Sequence, residues 1–174
     1  MLSGAVRKRF LQFCDGETDP KSFETWVCAA PDLEGDIGHG PHLDLISADY
    51  RGRDVEGARD LCARLLEQHH PGSLARYHVR RILRSMIDDD SAVLSGLRRL
   101  VALRHSGYEF IPIAFVAFDS ELEVVPTPDR YHLWDAAALA ERLATTGPLV
   151  EQVQQACRGL LDDLAQRYPD EVDP

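Results

Sequence analysis

Between Asp54 and Gln68 the apolar residues Val55, Ala58, Leu61, Cys62, Leu65 and Leu66 recur every three or four positions. That interval matches the 3.6-residue turn of an α-helix and not the two-residue period of a strand. The same interval carries Val6, Phe10, Leu11, Phe13 and Cys14 near the start of the chain, then Phe23, Trp26 and Val27. It returns in Leu74 to Ile87, in Val93 to Leu103, and in Val150 to Leu164. A chain patterned this way can bury its apolar residues only as packed helices. The expected fold is mainly α: a single-domain bundle of about seven helices over residues 1–174, with a frayed acidic tail from about 169 to 174.

The breaks between these stretches carry helix-boundary chemistry. Asp19 precedes Pro20, an N-cap followed by proline at the first helical position. Asp54, Ser73 and Asp135 stand at three further starts. Gly107 follows the Val93–Leu103 pattern as a C′ residue, and "GP" at 147–148 is expected to separate a short helix from the last one. Leu43, Ile46 and Tyr50 suggest a short helix in "PHLDLISADY".

One stretch departs from the pattern. In "FVAFDSELEVVP" the apolar spacing shortens to two, and Asp119, Glu121 and Glu123 alternate. This predicts an extended segment or minor hairpin near residues 110–125, with the three carboxylates on one face. Same-face residues on a strand lie roughly 7 Å apart, too far to share an ion without further ligands. The sequence shows no converging ligands, so a metal site is not expected. A strip facing a basic partner and a solvated edge both fit.

The formal net charge is −10. That balance disfavours nucleic acid and anionic membranes and suits a basic partner. The charge is uneven. Ser73 to His105 holds seven arginines against three aspartates, while Ser106 onward holds four arginines against thirteen acids. Arg76, Arg80 and Arg84 fall at i, i+4 and i+8 on one helix face. They fit either an anion-binding clamp or internal pairing with the acidic C-terminal half. No apolar run approaches the roughly 20 residues of a membrane span. "MLSGAVRKRFLQF" lacks the order of a signal peptide, so a cytoplasmic location is expected.

Catalytic signatures are missing. The sequence has no GxSxG, HExxH, P-loop or strand-linked GxGxxG. Cys14, Cys28, Cys62 and Cys157 form no CxxC pair, and buried small hydrophobes are the expectation for Cys28, Cys62 and Cys157. "HGPH" could give His39 and His42 to a metal only with a further acid. No catalytic residue, metal or cofactor is assigned, and an enzyme is not expected. Trp134, beside a proline-bounded turn, fits a packing anchor or an interface hot spot. Tyr131 lies in the same turn.

Two blocks resemble known bacterial sequences. "FETWVCAAPDLEGDIGHGPHLDLISADYRGRD", Phe23 to Asp54, is similar to the "FExWV…LE…LG…YLELISLDY" stretch of a family of small bacterial proteins. "FIPIAFVAFDSELEVVPTPDRYHLWDAAAL", Phe110 to Leu139, resembles a second bacterial pattern: an apolar strand, "DSETDxLP", and a tryptophan before a helix. The first block covers about a fifth of the chain and the second about a sixth. Proteins with the first block resemble immunity proteins, small cytoplasmic proteins that bind and neutralise a cognate toxin. The chain departs from the patterns at Cys28, at Gly40-Pro41-His42, and at Leu122 to Val124.

The resemblance implies a non-enzymatic, toxin-neutralising binding protein. Electrostatics adds a basic protein partner met through Asp119, Glu121 and Glu123, with Tyr131 or Trp134 as apolar anchor. The alternative is an anion- or small-ligand-binding domain or enzyme using Arg76, Arg80 and Arg84.

Overall fold

The computed structural model describes residues 2–52, 54–123, 125–126 and 128–171. Among them the secondary structure is helical throughout, with nine α-helices, two short 3₁₀ segments and no strand. The chain packs as two compact units. One comprises the chain up to His78 together with the end from Asp170, and the other runs from Val79 to Pro169.

The first unit holds α1 (Gly4–Cys14), α2 (Pro20–Ala29), α3 (Leu33–Ile37), α4 (His39–Ser47), α5 (Asp54–His69) and the opening of α6 (Ser73–Asp88). The Ser3 hydroxyl caps α1 by accepting from the Val6 amide. Asp19 caps α2 by accepting from Ser22 N at 3.0 Å, with Pro20 at the first helical position, as its sequence predicts. Helix α1 packs on α5, and α2 packs on α4. The core is aromatic. The Phe13 and Phe23 rings stack at 3.8 Å between centroids, and Phe10 meets Trp26 edge-on at 6.1 Å. Burying Phe10, Phe13 and Phe23 stabilises the unit by about 2–3 kcal/mol each. Tyr50 packs beside them and donates its hydroxyl to the Leu45 carbonyl at 2.9 Å.

Three expectations in this unit need amendment. In α4 it is Leu45 that is buried, while Leu43 and Ile46 are exposed. Cys28, read as buried, is exposed on α2; Cys62 is buried and Cys14 half-buried. The tail read as frayed is tethered in part. Arg7 donates to the Asp170 carbonyl, and Arg76 forms an ion pair with Glu171. The rest of the tail, 172–174, lies outside the described residues.

The second unit contains the remainder of α6, then α7 (Val93–His105), α8 (Ala114–Leu122) and α9 (Ala136–Arg167). Helix α7 packs against α8, and both contact α9. Val79, Leu83, Leu97, Leu100, Phe115, Cys157 and Leu160 form its dry centre. Gly107, at φ +102°, closes α7 as expected of a C′ glycine. Arg104 ties the following loop down by donating to the Glu109 and Ile111 carbonyls.

Where an extended segment is expected near residues 110–125, Ala114–Leu122 forms helix α8; residue 124 lies outside the described residues. Pro112 opens it: the amides of Phe115 and Val116 bond to the carbonyls of Pro112 and Ile113. Phe115, Phe118 and Leu122 then recur at helical spacing, with Phe115 and Leu122 fully buried. The run is apolar on nearly every side, so a two-residue alternation could be read into it, but burial follows the 3.6-residue period. The expected break at Gly147-Pro148 is also absent. Helix α9 continues through Pro148 for 32 residues.

Candidate functional site

Helix α8 redistributes the three carboxylates. At about 100° per residue, Asp119 and Glu123 share a side and Glu121 falls opposite. All three cluster at the C-terminal end of α8, Glu123 as its C-cap, where the helix dipole is negative and disfavours them. They are acids kept at the wrong end of a helix and not a one-faced strip.

Two of the three candidate arginines of α6, Arg76 and Arg80, are engaged internally. Arg76 donates from Nε and Nη2 to Glu171 Oε1 at 2.8 and 2.5 Å, and from Nη2 to the Pro71 carbonyl. Arg80, 3% exposed, donates to the Leu164 carbonyl at 3.0 Å. For Arg76 this is the internal pairing the sequence left open. Arg84 is half-buried on the same helix.

The remaining candidates lead to a concavity. Asp135 caps α9 by accepting from the Ala137 and Ala138 amides at 3.0 Å each. The first third of α9, up to Gly147, contributes no buried residue, whereas Val153, Cys157, Leu160 and Leu164 beyond Pro148 lie in the core. Leu133, Trp134 and Leu143 are 70%, 39% and 37% exposed, so this segment carries apolar side chains that the described chain leaves uncovered. One face of it forms a shallow groove beside the Trp134 indole, lined by Ala138, Glu141, Arg142 and Thr145.

Another face of α9 closes a cleft of about 490 Å³. Its apolar lining comes from Val93 and Leu94 of α7, Leu122 of α8, Val125, and Leu143 and Val150 of α9. Its polar groups are Asp90, Ser91, Tyr131, Thr146, Glu151 and Gln154. Gln154 Nε2 donates to the Met86 carbonyl at 3.1 Å and to Asp90 Oδ1 at 2.7 Å, which fixes the Asp90 carboxylate in the lining. Next to it, Asp89 caps the 3₁₀ turn Asp90–Ala92 by accepting from the Ser91 amide, and its hydrogen bonds with the Ser91 side chain first and the Ser91 amide second lower its pKa. Glu151 lies one turn before Gln154 on the same face. Among the described residues that line the cleft there is no lysine, arginine or histidine. An apolar concavity of this size with a few convergent polar groups is the usual form of a binding site.

The sequence reading reached Tyr131 and Trp134 but missed Asp90, Glu151 and Gln154. Asp90 lies more than 60 positions from Glu151 and Gln154, so no local pattern joins them. The one available signal was the spacing of Leu143, Gly147, Val150, Glu151 and Gln154 along a single helix face.

Elsewhere the titratable groups serve the fold. Glu34 Oε1 accepts from His39 Nδ1 at 2.7 Å, with His42 3.6 Å from the other carboxylate oxygen; the His39 bond holds the Glu34 pKa below the usual range. Burial pushes the Cys157 thiol up to about 12. Burial also raises the Cys62 thiol, with a further contribution from Cys14. Neither buried thiol is poised as a nucleophile. Among the described residues no group of three or more His, Cys, Asp or Glu side chains is arranged to hold a metal ion, and no helix is long and apolar enough to cross a membrane.

No protein-family model matches the chain, and no curated protein or solved structure matches it.

Proposed function

We propose that the chain is a non-enzymatic binding protein. It engages a basic protein through the surface built by the end of α8, the Tyr131–Trp134 turn and the first third of α9. The observation that carries the reading is the concentration of uncovered apolar side chains, Leu133, Trp134 and Leu143, within eleven residues; Ile113 is the other large hydrophobic exposed among the described residues of that unit. Tryptophan in that setting is a favoured anchor of protein interfaces. The surrounding sequence supports a basic occupant: Ser106 to Glu151 holds eight acids and two arginines. A negative field of that kind speeds association with a positive surface and orients it.

The finer assignment follows the sequence resemblance. The protein is an immunity protein whose partner is a basic toxin domain, neutralised by covering its active surface. The test starts from the open reading frame adjacent to this one in its source genome. Its product is purified and titrated calorimetrically against the full chain. A basic product binding below about 1 μM, weakened at least tenfold by Trp134→Ala and weakened further by added salt, is the expected result. An acidic product, or no heat of binding at any salt concentration, overturns the immunity assignment. Binding that ignores Trp134→Ala overturns the surface.

A further inference from the structure

The cleft beside this surface has a one-sided chemistry. Its lining is largely aliphatic, and its polar groups include two carboxylates, Asp90 and Glu151, with no cationic side chain among the described lining residues. The bond from Gln154 holds the Asp90 carboxylate in place, so it cannot swing away without losing that partner. A mostly aliphatic lining that carries carboxylates and no cation complements a group with an apolar stem and a positive head. Lysine and arginine side chains have that form, and they bury the stem while the head stays polar.

We propose that the cleft is the anchor pocket for one lysine or arginine of the basic partner, seated with an apolar neighbour from the same partner segment. The stem lies along Leu94, Leu122 and Val150, and the charged head sits between Asp90 and Glu151. The inference rests on the reading of the chain as a binder of basic protein. It adds the side chain that is recognised and the residues that recognise it. It also accounts for a cleft larger than one side chain, since about 490 Å³ falls in the range of pockets that hold small-molecule-sized groups.

The probe is n-hexylammonium, which supplies the stem and the head, with n-hexanol as its neutral counterpart. Methyl-resolved NMR of the full chain is recorded while each is titrated in. The proposal expects saturable shifts in the Leu94, Leu122, Leu143 and Val150 methyls, with hexylammonium at least fivefold tighter than hexanol. In Asp90→Asn/Glu151→Gln that preference falls to within twofold. The asparagine keeps an oxygen for Gln154, and an unchanged melting temperature shows that the fold survives. Equal binding of the two probes, or shifts confined to other methyls, overturns the proposal. The double variant is also titrated with the basic partner. A loss of at least tenfold supports the anchor. Undiminished partner binding sinks the anchor pocket and leaves the binding role standing, whereas a wild-type chain that binds no basic partner sinks the role itself.

Discussion

Gly96 of α7 faces Met86 of α6 so closely that a β-carbon on Gly96 would lie 2.4 Å from Met86 Cγ and 2.6 Å from its sulfur. The glycine is therefore a packing residue, set inside a helix despite its low helix propensity. Gly96→Ala is expected to lower stability by about 1–3 kcal/mol in urea denaturation, because Met86 must move within a filled core. Met86→Ala alone leaves a cavity and costs about 2–5 kcal/mol. The double variant should lose less than the two single losses together, since the new methyl enters the space the thioether left. Strict additivity would show that the two residues do not touch.

Arg76 and Glu171 form an ion pair in which each side chain is 12% exposed. A pair this sheltered is costly to break from one side, because the remaining charge keeps its desolvation penalty. Glu171→Gln should destabilise the chain by about 1–3 kcal/mol, and a double-mutant cycle with Arg76→Ala should give a coupling above about 1 kcal/mol. A coupling near zero would mean the C-terminal end is not docked in solution.

The His70 ring has a buried Nε2 without a hydrogen-bond partner among the described residues. Burial, followed by the nearby Arg7 charge, lowers its pKa from the ordinary value. The unfolded chain therefore binds this proton more readily than the folded one, and stability must rise with pH across the interval between the two pKa values. The contribution is present above the unfolded value of about 6.5 and is lost as the pH falls below it. Thermal melts from pH 7.5 to 5 should show a declining Tm, and His70→Gln should flatten part of that decline. An identical slope in the variant would assign the acid sensitivity to other groups.

Glu123 caps the C-terminus of α8, where the helix dipole opposes a negative charge. Glu123→Lys should raise stability by about 0.3–1 kcal/mol at low ionic strength, and the gain should shrink in salt. The same change should slow association with a basic partner. A variant that is more stable and yet slower to associate separates a functional acid from a structural one. A less stable variant would mean that Glu123 makes a contact the fold needs.

Most helices are legible in the sequence because their capping residues and apolar period agree. Asp19, Ser3 and Asp135 each accept backbone amides at helix starts, and Gly107 has the positive φ its position demands. The stretch around α8 misleads because Ile111, Ile113, Phe115 and Val116 are β-branched or aromatic. In so short an apolar run, strand propensity and helix burial make the same pattern. Pro112 stands one residue before the N-cap Ile113, and its carbonyl accepts the Phe115 amide in the turn that opens the helix. Residues 147–148 mislead in the opposite direction. Local chemistry asks for a break there, but the apolar face of α9 continues on the far side. The cleft was the least legible feature. Asp90, in the turn before α7, and Glu151, on α9, line one cleft, and nothing in either local sequence records that.

Pro148 gives α9 a mechanical asymmetry. Proline has no amide hydrogen, so the Ala144 carbonyl loses its helical bond, and the hydroxyls of Thr145 and Thr146 already compete for the carbonyls of Glu141 and Arg142. The weakest turn of the helix thus lies where the core-packed portion ends and the uncovered portion begins. From Pro148 back to Trp134 is 14 residues, about 21 Å at 1.5 Å per residue. A bend of about 20° at that turn, within the range proline produces, would carry the indole through about 7 Å. Leu143, Thr146 and Gly147 would travel with it while Val150, Glu151 and Gln154 stayed in place. The width of the cleft and the reach of Trp134 would then be two readings of a single angle, so an occupant gripped by one would set the position of the other.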